Sequence, residues 1–276
     1  MAKMLKIVGI GDNVVDRYLY KKKMYPGGNA VNVPVLAHKT GRAEAAYIGT
    51  VGTDYAGSHI VDSLKREGLD VSHVKIKEGE TAYADVTLVD SDRVFIGGID
   101  GVSHDIEITE ELKKYMAGFN LIHTSCYSGL DEKLPELHKI GVPIAYDYSD
   151  KPHWNNLKRT LPYVTYAIFS GGSAKEEELK VLMEGVGTHG PKQVLMTMGS
   201  RGSMLYDVES RKFYQQGIYP VENIVDTMGA GDSFIARYFV GIYDGEAIGE
   251  SMENAAEFAA KNCLVSGTFG YETDIK

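Results

Sequence analysis

Two glycines, an alanine and two aspartates stand together in DTMGAGDSF, residues 226–234. Gly229, Ala230 and Gly231 come directly before an apolar stretch whose spacing predicts a helix. The first N–H groups of a helix lack internal acceptors, so these small residues would let a phosphate contact them. Asp232 would repel a resting phosphate, which suggests that it accepts a hydroxyl proton during phosphoryl transfer. The alternative is a plain glycine turn in which Asp232 only interacts with the helix dipole.

A second polar group lies near the amino terminus, in GDNVVD (11–16) and YPGGNAVNV (25–33). Glycine allows a ligand to approach the backbone closely, and carboxylates together with amides suit a polyhydroxyl ligand. Asn29 as a helix N-cap and Asp12 as a turn residue are equally good structural interpretations. The candidate ligand contacts in the two segments are Asp12, Asp16, Gly28, Asn29 and Asn32.

Several function classes are excluded by missing patterns. GIGDNV (9–14) follows a strand, but Val14 stands where a dinucleotide fingerprint needs its third glycine. The sequence has no GxxxxGK[ST] loop, no HExxH and no GxSxG. The net charge of −9 argues against a nucleic-acid partner. Two cysteines and no apolar run of spanning length indicate a cytoplasmic protein without a membrane segment.

Strands alternate with helices along most of the chain. LKIVGIG (5–11) is a β-rich apolar run, and residues 53–68 read as a helix opened by Thr53 or Asp54 and closed by Gly68. This alternation predicts a mostly parallel sheet covered by helices. Between about residues 80 and 100, apolar and polar residues alternate around a DSD turn, which predicts a hairpin.

The order and spacing of GD…D, GGNAVNVPVLAHKTG, YIGTVGTDYAG and DTMGAGDSF resemble the PfkB carbohydrate kinases, which have the ribokinase-like fold. The resemblance covers essentially the whole chain. It implies one α/β domain over residues 1–276, a three-layer α/β/α sandwich with a mostly parallel central sheet. It also implies a small β-sheet lid inserted at about residues 12–25 and 80–102, whose free edges would allow two copies to form a homodimer.

The resemblance also implies roles for individual residues. Asp232 would be the base that deprotonates the acceptor hydroxyl, and Gly229, Ala230 and Gly231 would form the anion hole. The sugar would contact Asp12, Asp16, Gly28, Asn29 and Asn32. ATP, with Mg²⁺, would bind near Thr197, Gly199, Gly202, Asp226, Thr227 and Asn262, and some members hold a monovalent cation such as K⁺ near Asp226 and Thr227. A helix N-terminus would lower the pKa of Asp232.

One element departs from the family pattern. Many members carry Asn-x-x-Glu after the strand that corresponds to YAIFS (166–170), where it helps to organise Mg²⁺. This sequence has SGGSAKEEE (170–178), with Ser170 near the expected Asn and the glutamates displaced to 176–178. The metal ligands therefore stay unassigned, and these glutamates are interpreted as a solvated helix start.

Within the family, GDNVVD, GGNAVNV, SDRVF and DYSDK resemble members that phosphorylate fructoselysine, a glycated lysine. This implies transfer of the γ-phosphoryl of MgATP to the C6 hydroxyl of that acceptor. Arg93 in the hairpin would contact the substrate or be a solvated charge, and Asp147 and Asp150 would face the ligand or cap the next segment of the chain. The alternatives are a kinase of a plain sugar or nucleoside, and a non-catalytic sugar-binding protein on the same scaffold.

Overall fold

The computed structural model describes residues 4–89, 92–150 and 153–276. Most of the regular structure is the predicted alternation of strands and helices. The described strands are β1 (Leu5–Ile10), β2 (Val14–Tyr18), β3 (Lys23–Gly27), β4 (Ala43–Gly52), β5 (Val74–Lys77), β6 (Tyr83–Val89), β7 (Asp92–Ile99), β8 (Leu121–Ser125), β9 (Ile144–Asp147), β10 (Tyr166–Ser170), β11 (Gln193–Thr197), β12 (Ser203–Asp207), β13 (Lys212–Gln216) and β14 (Thr273–Asp274). The helices are α1 (Asn29–Lys39), α2 (Tyr55–Glu67), α3 (Glu110–Met116), α4 (Leu134–His138), α5 (Trp154–Thr160), α6 (Glu176–Gly187), α7 (Ala230–Asp244) and α8 (Ile248–Asn262).

The large sheet has the strand order β13-β12-β11-β10-β9-β8-β1-β4-β5. Its strands are parallel except β12, which pairs antiparallel with both neighbours. Side chains of α1, α2, α7 and α8 pack with one face of the sheet, and those of α3, α4, α5 and α6 pack with the other. The predicted three-layer α/β/α sandwich with a mostly parallel sheet is therefore confirmed.

The strand order of the large sheet reverses at β1, because β4 lies on one side of β1 and β8 lies on the other. In an open parallel sheet, a crevice forms at the carboxyl ends of the two strands that flank such a reversal. The central strands β8 and β9 are buried along their whole length, so only their ends are available for polar chemistry. The fold thus predicts that ligand chemistry lies beyond the ends of β1 and β8.

A second sheet has the order β14-β3-β2-β6-β7. Its strands come from the two segments expected to form a lid and from the carboxyl terminus, and β6 pairs antiparallel with β7 as the predicted hairpin requires. The turn residues Asp90 and Ser91 lie outside the described residues. Phe95 and Ile96 on β7 are exposed. That this sheet covers the substrate, and that two copies pair through it, stay predictions.

The helix boundaries follow local capping chemistry. Asp54 caps α2 by accepting a hydrogen bond from the N–H of Gly57, and Gly68 closes the helix in the left-handed conformation. The prediction gave Thr53 or Asp54 as the start and Gly68 as the end, and the structure selects Asp54. No helix in the described part of the chain has the length and apolar character needed to cross a membrane.

Candidate active site

Polar residues gather at the carboxyl ends of three adjacent strands of the large sheet. Ser125 ends β8, Asp147 ends β9, and Asp12 lies two residues after β1. The Asp12 Oδ1 atom accepts hydrogen bonds from the Oγ atoms of Ser125 (2.7 Å) and Ser128 (2.8 Å). Its Oδ2 atom accepts the backbone N–H of Asn29 at 2.7 Å. Asp12 therefore joins the ends of β1 and β8 to the first residue of α1.

Gly28 makes the entry into α1 possible. Its φ is +105°, and a Cβ atom there would lie 2.8 Å from the Cα atom of Asn13 and 2.8 Å from the carbonyl oxygen of Asp12. Only glycine tolerates both that conformation and that contact. Gly28 itself is the N-cap residue and Asn29 is the first helical residue, so the interpretation of Asn29 as the cap is wrong.

Two asparagines on α1 hold the carboxylate of Asp232. The Asn29 Nδ2 group donates to Asp232 Oδ1 at 2.8 Å and to Asp147 Oδ2 at 2.8 Å. The Asn32 Nδ2 group donates to Asp232 Oδ2 at 2.7 Å. Residues from separate parts of the sequence thus meet in one cluster. The first turn of α1 holds the Asp232 carboxylate directly, and Asp147 at the end of β9 shares the Asn29 amide with it.

Asp232 lies in the first turn of α7, directly after the glycine-rich segment. Gly229 is the N-cap residue with φ +72°, and a Cβ atom there would lie 2.3 Å from Thr268. Gly231 is exposed and Ala230 is half-buried. Among the described residues, no acceptor receives a hydrogen bond from the N–H groups of Gly231 and Asp232. The start of α7 therefore offers free donors next to a carboxylate.

Two carboxylates of the cluster, Asp232 and Asp147, bind protons more tightly than ordinary aspartates. Burial raises the pKa of Asp232 to about 6, although Asn32 and Asn29 donate to it. Burial also raises the pKa of Asp147 to about 7, with Asp232 adding to the effect. The expectation that the helix N-terminus lowers the pKa of Asp232 is wrong, because the loss of solvent outweighs the dipole.

Asp16 on β2 is a third carboxylate of this kind. It is nearly inaccessible to solvent, and burial, then Asp232 and Asp226, raise its pKa to about 7. None of the described residues donates a hydrogen bond to its side chain. A buried polar group without a partner is costly, so Asp16 is available for a ligand's donors.

Asp226 and Thr227 begin the glycine-rich segment. Asp226 is fully buried, and its carboxylate accepts hydrogen bonds from the Tyr18 hydroxyl (2.8 Å) and from the N–H groups of Met228 (2.8 Å) and Gly267 (2.9 Å). Thr227 is exposed. These contacts tie β2 of the second sheet to the segment that leads into α7.

The predicted nucleotide-side residues lie around the far strands of the large sheet and the end of α8. Thr197 ends β11, and its hydroxyl lies 3.4 Å from that of Ser170 at the end of β10. Gly199 opens a short 3₁₀ turn that Gly202 closes, and a Cβ atom on Gly202 would lie 2.0 Å from the Gln216 carbonyl oxygen. Asn262 ends α8, and its side chain donates to the carbonyl of Thr268 at 2.9 Å.

Exposed apolar side chains near the start of α7 were not predicted. The backbone N–H groups of Val225 and Asp226 donate to the Cys263 carbonyl, which brings the loop before α7 against the end of α8. Solvated aliphatic residues in two such loops carry no polar signature, so nothing in the pattern of the chain indicated them. The exposed apolar residues of the two loops are Ile218, Tyr219, Ile224, Val225, Leu264 and Val265.

The glutamates at the start of α6 and the exposed Asp150 lie outside the cluster. Glu176 pairs with Lys180 and Glu178 accepts the N–H of Lys175 at the start of α6, as expected for a helix start. The side chain of Arg93 lies outside the described residues. Among those that are described, no three His, Cys, Asp or Glu side chains group as a metal site.

Sequence reasoning missed His123, Ser125 and Ser128. His123 is fully buried on β8, and its Nε2 atom lies 2.7 Å from the Asn29 Oδ1 atom. Ser125 and Ser128 both donate to the Asp12 carboxylate. The available signal for His123 and Ser125 was the polar run His-Thr-Ser directly after the apolar pair Leu121 and Ile122.

Comparison with known proteins places the whole chain beside sugar kinases. The model of the pfkB family carbohydrate kinases matches residues 4–273. Fructosamine kinase FrlD of Bacillus subtilis (strain 168) is 40% identical over 272 residues, 97% of this chain and 94% of that protein. Fructoselysine 6-kinase of Escherichia coli (strain K12) is 35% identical over 269 residues, 96% of this chain and 100% of that protein.

Solved structures share the fold at lower sequence identity. The structure of Arabidopsis thaliana ribokinase complexed with ribose and ATP has a TM-score of 0.80 at 21% identity, covering 96% of this chain and 94% of that chain. The microbiome-derived acarbose kinase Mak1 has a TM-score of 0.81 at 17% identity, covering 97% of this chain and 95% of that chain.

Proposed function

This chain belongs to the pfkB family of carbohydrate kinases, and we propose that it transfers the γ-phosphoryl group of MgATP to the C6 hydroxyl of fructoselysine. The observation that carries the proposal is the Asp232 carboxylate, held by Asn29 and Asn32 beside the free N–H groups at the start of α7. A proton acceptor and an anion site lie next to each other there, as phosphoryl transfer to an alcohol requires.

Asp232 acts as the base in this proposal. Two amide donors fix its oxygens in the absence of substrate, so the entropy cost of orienting the carboxylate is met when the protein folds and not during the reaction. A pKa of about 6 leaves the carboxylate ionised at neutral pH while keeping it more basic than an ordinary aspartate. It would accept the proton of the C6 hydroxyl as the new P–O bond forms and the bond to the ADP oxygen breaks.

The anion hole would be formed by Gly229, Ala230 and Gly231. The free N–H groups of Gly231 and Asp232 point out of the helix start, where the helix dipole also favours negative charge. Each donor aimed at the transferring group would lower the barrier by about 2–4 kcal/mol. Because Gly231 is exposed and carries no side chain, a phosphate can reach these groups.

ATP would lie across the ends of β10 and β11, with its base against the exposed apolar residues beside α8. Thr197 would face the phosphates. Mg²⁺ keeps several waters and binds through substrate phosphates and one or two carboxylates. The described residues fit a metal that arrives with the nucleotide, because they form no group of three carboxylate or imidazole ligands.

A monovalent cation near Asp226 and Thr227 stays a prediction. The Asp226 carboxylate accepts hydrogen bonds from Tyr18, Met228 and Gly267. No step of the mechanism is assigned to this cation.

The acceptor side favours a polyol without phosphate. Among the described residues, no Lys or Arg forms an ion pair with Asp12, Asp16, Asp147 or Asp232. A phosphorylated acceptor would bring negative charge to a group of four acidic residues that no such cation neutralises, which electrostatics opposes. Fructoselysine brings hydroxyl donors and a protonated secondary amine, both of which suit a carboxylate such as Asp16 that has no donor of its own.

The test is ADP release by the purified protein with MgATP and one acceptor at a time: fructoselysine, fructose, ribose or a nucleoside. We expect the highest kcat/KM with fructoselysine. A preference for another acceptor would retain the kinase and refute the substrate. Bound ATP without ADP release on any acceptor would instead support a sugar-binding protein on a kinase scaffold.

A further inference from the structure

A histidine occupies a core position of the large sheet directly beneath the site. His123 pairs with Gly9 of β1 and Ala145 of β9, in the middle of the sheet, and its side chain is fully buried. Residues two apart on a strand share a face, so His123 shares the α1 face with Leu121, which packs in the apolar core there. A polar ring at such a position needs a reason other than packing.

The only hydrogen bond of this ring among the described residues is to Asn29. The Asn29 Oδ1 atom can only accept, so the His123 Nε2 atom carries the hydrogen across 2.7 Å. The Nδ1 atom then holds a lone pair, and it is buried without a partner in the described structure. Burial lowers the pKa of His123 to about 3, which keeps the ring neutral at working pH. The ring therefore acts as a fixed neutral donor.

The donor from His123 completes the hydrogen bonding of the Asn29 amide. With Oδ1 held by His123, both Nδ2 hydrogens are directed at carboxylates, one at Asp147 and one at Asp232. Without that donor the amide oxygen of the half-buried Asn29 would lose the hydrogen bond that holds it, and rotation of the amide would cost less. Rotation would turn the oxygen toward two carboxylates and remove a donor from Asp232.

We propose that His123 is a positioning residue, which fixes the Asn29 amide so that it orients the Asp232 carboxylate and keeps it ionised. This inference rests on the proposed role of Asp232 as the base. It adds a residue that contacts neither substrate nor nucleotide in that proposal, and that acts through a single hydrogen bond.

The charged groups around Asp232 set the direction of the expected effect. The groups facing the cluster are Asp12 after β1, Asp16 on β2, Asp147 on β9 and Asp226 before α7. All are acidic, so they favour protonation of Asp232, and the amide donors oppose it. Loss of the Asn29 donor would therefore raise the pKa of Asp232 and move the acid limb of the kcat/KM profile to higher pH.

The experiment compares His123→Leu with His123→Gln in pH profiles of kcat/KM. Leu fits a core position and removes the donor, whereas the Gln amide nitrogen can replace the Nε2–H. We expect His123→Leu to lower kcat/KM at pH 7 about 10- to 100-fold, since misplacing a catalytic group costs up to ~10²-fold, and to shift the acid limb upward. His123→Gln should recover most of the loss. Leu121→Val, on the same strand and face, should lower stability without moving the limb.

Two outcomes would overturn the inference. One is a His123→Leu variant with the wild-type profile. The other, observed in the unsubstituted protein, is a long-range ¹H–¹⁵N spectrum in which His123 titrates between pH 5 and 9 or carries its hydrogen on Nδ1. The spectrum decides the matter even if His123→Leu fails to fold. Failure of the proposed function differs, because an active Asp232→Asn variant would show it while leaving the tautomer of His123 unchanged.

Discussion

At the scale of single residues, the reactivity of Asp232 depends on the balance between burial and hydrogen bonding. Folding shields the carboxylate of this half-buried residue from much of the surrounding water, and two asparagines return only part of the lost solvation. The result is a base that is ionised at neutral pH and remains reactive. The same burial makes its charge a cost to the folded state.

Asp232→Asn should remove nearly all turnover and leave the fold intact. Loss of a general base lowers kcat/KM by about 10²–10⁴-fold. The melting temperature at pH 8 should equal or exceed that of the wild type, because the variant lacks a buried charge. Steady-state ADP release and thermal melting check both parts. Asp62→Asn, at an exposed position on α2, is the matched control, and near-normal turnover of Asp232→Asn would refute the base assignment.

Asp16→Asn should show how pH affects stability through this site. A carboxyl whose pKa rises to about 7 on folding contributes stability below its unfolded pKa near 4, and this is lost as pH rises through 7. Asp16→Asn has no carboxyl at this position and does not lose this stability. The free energy of unfolding of the variant, relative to that of the wild type, should therefore rise between pH 5 and pH 8 by on the order of 3 kcal/mol. Urea unfolding at both pH values measures the gain, and a constant difference would contradict the raised pKa.

At the scale of elements, the amino terminus of α1 delivers Asn29 and Asn32 to the site. Its position depends on Asp12, which accepts the first N–H of the helix, and on the glycine before it. A shift of α1 along its axis would move both amide donors away from Asp232 together. The entry into this helix is therefore a functional element as much as a structural one.

Gly28→Ala should displace this helix start. The positive φ alone costs about 1–2 kcal/mol for a residue with a Cβ atom. The 2.8 Å contacts with Asn13 and Asp12 add to that cost and push the helix away. Gly41→Ala is the control, because Gly41 also has a positive φ but nothing within 4 Å of its Cβ position. Chemical unfolding should show a larger loss of stability for Gly28→Ala than for Gly41→Ala. Only Gly28→Ala should lower kcat/KM. Equal losses of stability and activity in the two variants would contradict the steric argument.

Element boundaries were predictable where the signal is local. Asp54, one of the two predicted starts, and Gly68, the predicted end, bound α2, because capping depends on residues within a few positions. The partners of Asp12 were not predictable, since Ser125 and Ser128 lie 113 and 116 residues away along the chain. The pKa of Asp232 was predicted in the wrong direction for the same reason. A helix dipole can be inferred from sequence, whereas burial depends on how distant elements pack.

At the scale of the whole molecule, a buried hydrogen bond joins the second sheet to the loop before α7. The hydroxyl of Tyr18, on β2 of the second sheet, donates to the Asp226 carboxylate at the start of the glycine-rich segment. Movement of the second sheet would therefore act directly on the loop that positions the free N–H groups of α7. The mostly parallel sheet and its polar strand ends were predictable from sequence, and this contact across 208 residues was not.

Tyr18→Phe should weaken this connection while keeping the aromatic ring. Asp226 would stay buried with one donor fewer, which costs about 1–3 kcal/mol of stability. We expect a matching loss in urea unfolding and a several-fold fall in kcat. Tyr20→Phe is the control, because Tyr20 stacks on Tyr18 but is 39% exposed. Equal stability of Tyr18→Phe and Tyr20→Phe would contradict a stabilising hydrogen bond between Tyr18 and Asp226.

The most direct test of the central claim is a competition in one reaction. Equimolar fructoselysine and fructose would be incubated with the protein and MgATP, and the products assigned by ³¹P and ¹³C NMR. Phosphate is expected on C6 of fructoselysine, in ~100-fold or greater excess over phosphorylated fructose, because fructose lacks the protonated amine that would pair with a carboxylate of the site. Equal use of the two acceptors, or phosphate on another hydroxyl of fructoselysine, would contradict it.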